Sequence, residues 1–185
     1  YQFQALDAEY ERMSGLSAGR MAAERAGVTG DNEIAALRAM SVDALADIAL
    51  DAELSATYHP QIDGHVLPVS TAQTFAAGEQ MPIPLMVGSN ADEGTVLYHF
   101  GLSPIDGGPV VQPTTVAEWD QLLADELGTS AQALDVLYQV DRDQDVAKAA
   151  EALMGDSWFG RHAFYMAQQH TSAGHPAYLY FYKRR

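Results

Sequence analysis

The sequence predicts an α/β architecture in which a few short strands are separated by long helical stretches. One strand is predicted at Pro84-Leu85-Met86-Val87-Gly88, a continuous apolar run bounded by proline and glycine. Another is predicted at residues 177–182, which are aromatic and apolar. Elsewhere apolar residues recur at helical spacing, and capping patterns mark helix starts. Strands that alternate with helices are typical of a mostly parallel sheet.

Composition narrows the classes of function. Of the 185 residues 48% are hydrophobic, which is enough for a sizeable core. Asp and Glu number 25 against 10 Lys and Arg, and the resulting net charge of -15 repels phosphate backbones and anionic lipids. We therefore expect no nucleic-acid partner and no membrane partner. The chain has no cysteine, and no histidine pair has convincing ligand spacing, so we expect no metal and no cofactor.

The first fifty residues are alanine-rich, and we expect them to be helical, with no strand. Gly27 and Gly30 separate segments, and Ser41 is a predicted N-cap. The helical spacing is carried by Leu37, Met40, Leu45, Ile48 and Leu50.

A loop and a short helix are predicted to precede the first strand. Residues 57–70 hold two prolines and an Asp63-Gly64 turn signal. Ser70-x-x-Gln73 is a capping box for a helix that Gly78 ends. Because parallel strands are covered by helices on both sides, we expect residues 84–88 to be doubly buried.

Four more helices are predicted after a glycine- and proline-rich loop at 101–114. Two begin at the capping boxes Thr115-x-x-Glu118 and Thr129-x-x-Gln132. A third spans about 145–154, and a fourth carries Trp158 and ends before Gly174.

Chemistry is expected at Asp92 and Glu93, on the turn that follows the first strand. In open α/β sheets, active-site groups gather beyond the carboxyl ends of the strands. A carboxylate there can orient a histidine that takes a proton from a serine. Alternatively, the two acids only begin a helix and favour its N-terminal dipole. Spacing alone leaves both interpretations open.

The segments 62–68 (IDGHVLP) and 84–95 (PLMVGSNADEGT) together resemble the type-B carboxylesterase family, which includes cholinesterases and bacterial para-nitrobenzyl esterases. That family has an I-D-G-x-x-x-P loop, a short helix, a strand leading into N-x-D-E-G and a later Y-L-Y-x-F strand, similar to residues 178–181 here. The resemblance covers roughly residues 20–183. It implies a partial α/β-hydrolase fold, with mostly parallel strands and a large helical excursion.

The resemblance implies a carboxylic ester hydrolase of class EC 3.1.1 that uses a Ser-His-Glu triad, with a small-molecule ester as substrate. Glu93 matches the glutamate of that triad, and Asp92 is then a structural acid. Val96 and Leu97 stand where cholinesterases carry aromatic residues, so we expect no aromatic cage for choline esters. Tyr58, in the stretch 54–59, is expected near the acyl side of the pocket.

We expect residues 1–185 to be part of a single α/β-hydrolase domain. The half with the nucleophile elbow and the tail with the catalytic histidine are expected outside this chain, since none of its six histidines follows the 177–182 strand. The remaining segments of the same fold are therefore its expected partners. The sequence does not distinguish a cytoplasmic from a secreted location.

Gly15-Leu16-Ser17-Ala18-Gly19 matches the G-x-S-x-G elbow by letter only. The preceding residues are charged rather than strand-forming, and Leu16 replaces the family's glutamate. Glu93 follows Ser17 by 76 residues, an interval shorter than the family's. We therefore expect Ser17 to be a helix residue.

Two alternatives remain at this stage. One is a catalytically inactive, cholinesterase-like binding or adhesion module that keeps the fold without a working triad. The other is an autonomous helical domain in which Ser17 is active.

Overall fold

The computed structural model describes residues 4–5, 14–51, 54, 60–103, 110–128 and 131–183. They fall into two units, Tyr1–Thr74 and Phe75–Arg185. The first unit contains strand β1 (Gln4–Ala5), helices α1 (Gly15–Arg25), α2 (Glu33–Ala39) and α3 (Val42–Ala49), and strand β2 (Gln61–Ile62).

The helices of the first unit follow the sequence prediction. Ser41 caps α3, because its hydroxyl accepts a hydrogen bond from the backbone N–H of Ala44 at 3.2 Å. The expectation that this region holds no strand was wrong. β1 pairs in parallel with β2, with Gln4 opposite Gln61. Two residues per strand are too few for an alternating pattern to show in the sequence.

Helix α4 (Thr71–Ala77) spans the boundary between the units, and its capping box is confirmed. Gln73 N–H donates to Ser70 Oγ at 3.2 Å, and Ser70 N–H donates to Gln73 Oε1 at 3.0 Å. The second unit continues with β3 (Leu85–Asn90), α5 (Gly94–His99), α6 (Val116–Leu127), α7 (Ala131–Asp135), α8 (Asp143–Gly155), a π turn (Asp156–Gly160), α9 (Arg161–Ser172) and β4 (Ala177–Tyr182).

Strands β3 and β4 form a parallel pair, as the sequence predicted. Leu85 lies opposite Ala177 and Asn90 opposite Tyr182, so both strands end at the same edge. The expected double burial of β3 was wrong for the described residues, because Met86 is 73% exposed and Phe181 in β4 is 62% exposed. Burial on both faces requires layers on both sides of a sheet, and within the described residues this sheet has only two strands.

The core of the second unit lies between α6 and α8. Its buried members are Trp119, Leu123, Val146, Ala150 and Leu153. They are three or four residues apart in each helix, which places them on one face. The capping box at the start of α6 is confirmed, whereas Thr129 of the next predicted box lies outside the described residues.

A π turn between α8 and α9 was not predicted. It begins at Asp156, whose Oδ2 accepts a hydrogen bond from the Tyr138 hydroxyl at 2.5 Å. The predicted helix around Trp158 therefore begins as a π turn and becomes an α-helix at Arg161. None of the helices in the described ranges is both long and apolar enough to cross a membrane.

Candidate active site

Glu93 lies on the turn directly after β3, where its carboxylate is held from one side. Its Oε1 accepts two hydrogen bonds from Asn90, from the side-chain Nδ2 at 2.7 Å and from the backbone N–H at 3.2 Å. Within the described residues, no hydrogen bond reaches Oε2. Glu93 is partly buried, whereas its neighbour Asp92 is exposed. The two acids therefore occupy different environments, and among the described residues side-chain bonds orient Glu93 but not Asp92.

The position of this turn is set by close packing between α5 and α8. Gly94 is buried, and a Cβ added to it would lie 1.9 Å from the backbone oxygen of Glu151 and 2.7 Å from the nitrogen of Gly155. Thr95 Oγ1 also donates to Glu151 Oε2 at 3.2 Å. A glycine follows Glu93 because the backbone of α8 occupies the space that a side chain needs.

The end of β4 reaches the same turn. The backbone N–H of Ala91 donates to the carbonyl of Tyr182 at 2.9 Å, and this bond continues the parallel ladder by one step. The carboxyl ends of both strands therefore meet beside Glu93. In open α/β sheets this edge is where active sites form.

Residues 12–185 match the model of the carboxylesterase family. The chain belongs to the carboxylesterase family. One curated relative is a fumonisin B1 esterase from Sphingopyxis macrogoltabida, which is 37% identical over 100 residues. That alignment covers 54% of this chain and 17% of the esterase.

Two solved structures show the fold of this carboxylesterase family member. Carboxylesterase EST55 of Geobacillus stearothermophilus has a TM-score of 0.55 at 18% identity, covering 92% of this chain and 33% of its own. EstA of Aspergillus niger has a TM-score of 0.53 at 14% identity, covering 97% and 36%. The predicted α/β-hydrolase fold is thereby confirmed, and the chain spans about a third of these structures.

The predicted substrate-side residues of this carboxylesterase chain are only partly described. Val96 and Leu97 lie on α5, three and four residues after Glu93, so they share its side of the helix. Val96 is 59% exposed, and Leu97 is partly buried. Tyr58 lies outside the described residues. The structure thus groups Val96 and Leu97 with Glu93, and the role of all three stays a prediction.

Ser17 lies in helix α1, as predicted. Ser14 is the N-cap, and its Oγ accepts the backbone N–H of Ser17 at 3.1 Å. Ser17 is therefore the third residue of a regular helix. An elbow instead presents its serine on a sharp turn between strand and helix.

Among the described histidines, His170 has the clearest role, and that role is structural. His170 is 2% exposed; its Nε2 donates to the carbonyl of Ile83 at 2.8 Å, and its Nδ1 accepts from Gln80 Nε2 at 3.2 Å. Burial lowers the pKa of a second histidine, His162. His59 lies outside the described residues, and within the described ranges no three His, Asp or Glu side chains cluster as metal ligands.

The aspartate of the I-D-G loop shapes that loop. Asp63 Oδ1 accepts backbone N–H bonds from His65, Val66 and Leu67, each at 2.9 Å. These bonds hold the pKa of Asp63 below its usual value, with the bond from His65 as the largest cause. In this chain the aspartate of the motif therefore holds the backbone of its own loop.

Sequence reasoning did not assign a role to Asn90, although this residue makes both described hydrogen bonds to Glu93. The available signal was its spacing, since Asn90-x-x-Glu93 places the two side chains across one turn.

Proposed function

We propose that this chain is the acid-bearing portion of a serine carboxylesterase and supplies Glu93 to a Ser-His-Glu triad. The observation that carries the proposal is the hydrogen bonding of the Glu93 carboxylate. Asn90 fixes Oε1, while Oε2 receives no hydrogen bond within the described residues and lies at the edge where β3 and β4 end. A triad acid needs one oriented oxygen for the N–H of a histidine.

In the proposed reaction, the histidine takes the proton of a serine hydroxyl while the serine attacks the ester carbonyl. Glu93 stays ionised and stabilises the imidazolium that forms. Backbone N–H groups stabilise the oxyanion, and the protonated histidine then gives its proton to the leaving alcohol. Water, activated by the same histidine, releases the acid. The serine, the histidine and the oxyanion hole belong to other segments of the protein.

The proposed substrate is a small carboxylic ester. The fumonisin B1 esterase relative supports an ester as the substrate, although the two chains align over only 100 residues. Val96 and Leu97 offer aliphatic surface beside Glu93 rather than aromatic faces. Neutral or apolar esters therefore fit the site better than quaternary ammonium esters, which bind aromatic faces.

We also propose that other segments of the same hydrolase fold cover the sheet. Met86, Tyr178 and Tyr182 are 73%, 60% and 64% exposed. Met86 lies opposite Tyr178 in the register, and side chains alternate between the two faces along a strand, so all three lie on one face of the sheet. Contiguous exposed apolar surface of this kind marks a contact region. This chain spans 33% and 36% of the two solved carboxylesterases, which supports the proposal that further segments of the same fold lie over this face.

The test is to replace Glu93 by alanine in the full-length protein and to measure hydrolysis of para-nitrophenyl esters. Loss of the triad acid is expected to lower kcat by about 10³- to 10⁴-fold. The matched control is Asp92→Ala, which removes the adjacent exposed carboxylate and is expected to leave kcat within about threefold.

A Glu93→Ala protein that keeps kcat within a few-fold of wild type would show that Glu93 is not the triad acid. A folded full-length protein that neither hydrolyses these esters nor reacts with a serine-directed fluorophosphonate would instead favour the inactive binding module.

A further inference from the structure

Asn90 is the last residue of β3, and both of its hydrogen-bond donors converge on one oxygen of Glu93. Its Nδ2 lies 2.7 Å from Oε1, and its backbone nitrogen lies 3.2 Å from the same atom. The orientation of the amide follows from chemistry, because an ionised carboxylate can only accept and Nδ2 is the donor end of asparagine. Hydrogen bonds to a charged group are shorter and stronger than neutral ones.

The backbone N–H of Asn90 can donate to Glu93 because successive N–H groups along β3 point to opposite sides of the strand. Leu85 and Ala91 donate their N–H groups toward β4, to Pro176 and Tyr182. In a parallel ladder, alternate residues point their N–H groups to opposite sides. The N–H of Asn90 therefore points away from β4, and its bond to Glu93 costs no ladder bond.

The anchor lies in regular structure rather than in a loop. Asn90 lies opposite Tyr182 in the sheet, and the preceding residue, Ser89, is only 7% exposed. On the other side of Glu93, Gly94 is packed against α8. The Glu93 backbone is thus held between a strand end and a helix crossing, and Oε2, which accepts no hydrogen bond from the described part of the chain, has a defined direction.

We propose that Asn90 is a positioning residue for the triad acid: it holds Glu93 Oε1 so that Oε2 faces the histidine. This role rests on the proposed function of Glu93. The competing interpretation is that Asn90 merely closes the turn as a helix cap. The bond from the Asn90 N–H to Glu93 is indeed one of the two bonds of a capping box. The other bond, from the backbone of the fourth residue to the first side chain, does not join Glu93 to Asn90 within the described residues, and α5 begins at Gly94 with Glu93 as its N-cap residue.

The test compares Asn90→Ala, Asn90→Ser and Asn90→Asp in the full-length protein, with kcat and KM measured on a para-nitrophenyl ester. Asn90→Ala is expected to lower kcat about tenfold and to leave KM within about twofold, because the lost bond acts on the acid and not on the substrate. Asn90→Ser, with a shorter donor, is expected to fall between Asn90→Ala and wild type. Asn90→Asp is expected to be worse than Asn90→Ala, since it brings a second negative charge to Oε1.

The matched control is Asn32→Ala, because Asn32 is the other asparagine of the chain and an exposed N-cap residue whose side chain makes no cap bond. It is expected to leave kcat unchanged.

A double-mutant cycle separates positioning from a structural role. In the Glu93→Ala background, Asn90→Ala is expected to cause no further loss of kcat, because no carboxylate remains to be positioned. An equal loss in both backgrounds, or a kcat that Asn90→Ala leaves unchanged in wild type, would overturn the positioning role while leaving Glu93 as the acid. Full activity of Glu93→Ala alone would refute the proposed function itself, and with it the role of Asn90.

Discussion

Gly94 and Glu151 approach so closely that a single methyl group on Gly94 would lie 1.9 Å from the Glu151 carbonyl oxygen. The next nearest atoms, at 2.7 and 2.8 Å, are the backbone nitrogen of Gly155 and the Cβ of Met154. The backbone of α8 fixes the position of all three atoms, so none can move aside by a side-chain rotation. This contact places the turn that carries Glu93 against α8. The turn and the helix therefore form one packed unit.

Gly94→Ala is expected to lower the free energy of unfolding by about 3 kcal/mol, because the backbones of α5 and α8 must separate. Urea denaturation measures the loss. The control is Gly19→Ala in α1, where a Cβ meets nothing within 4 Å. That change is expected to raise stability by about 0.5–1 kcal/mol through helix propensity. Equal effects at the two glycines would contradict the close packing.

Tyr138→Phe is expected to lower the free energy of unfolding by about 1 kcal/mol at neutral pH, since it removes the bond from the phenol to Asp156. Burial, and then the Asp156 carboxylate, raise the pKa of Tyr138 above the usual 10. A raised folded-state pKa contributes stability that is complete below pH 10 and is lost as pH rises through the folded value.

Urea denaturation at pH 7 and pH 11 tests this pH dependence, and the difference between wild type and Tyr138→Phe is expected to shrink at pH 11. Tyr180→Phe serves as control, because Tyr180 is 47% exposed on β4. A difference that grew with pH would contradict the assigned direction of the pKa shift.

Asp63→Ala is expected to destabilise the protein at pH 7 more than Asp63→Asn, because asparagine keeps an oxygen that can accept the three backbone N–H bonds. The folded-state pKa of Asp63 is lowered, so its stabilising effect is present above about pH 4 and is lost as pH falls through the folded value. Denaturation at pH 7 and pH 3 checks both points. A deficit of Asp63→Ala that persisted unchanged at pH 3 would show that the carboxylate charge is irrelevant.

Ser17→Ala is expected to leave esterase activity of the full-length protein within about twofold of wild type. Ser17 lies inside α1, and alanine retains the backbone N–H that donates to the Ser14 cap, although it loses the hydroxyl that accepts from Ser14 Oγ at 3.0 Å. The autonomous domain with Ser17 as nucleophile instead requires that residues 1–185 alone hydrolyse esters and that Ser17→Ala abolishes this hydrolysis.

The aliphatic surface of Val96 and Leu97 is expected to give no preference for butyrylcholine over its uncharged carbon isostere, 3,3-dimethylbutyl butyrate. The ratio of kcat/KM values checks this. About 0.5 M salt is needed in the assay, because the net charge of -15 attracts cations at low ionic strength. A preference for the choline ester at that salt would indicate an aromatic or acidic cation site.

Most helix starts were predictable because capping depends on residues within one turn. Ser70 with Gln73 and Thr115 with Glu118 form the bonds that their spacing predicts. The two long strands were predictable because apolar and aromatic runs bounded by glycine and proline favour extended structure. Neither β1 nor the π turn at Asp156 was predictable, since a two-residue pairing and a widened helical turn depend on tertiary contacts.

By itself, the sequence determined the local chemistry of this protein: the strand, the D-E-G turn and the family to which it belongs. It also separated Ser17 from a true elbow, since charged residues precede it. Only the tertiary structure decided that Gly94 is required by the backbone of α8, and that the ends of β3 and β4 meet beside Glu93. The physical reason is that motifs record residue types along the chain, whereas these contacts join backbones that lie far apart in the sequence and that only folding brings together.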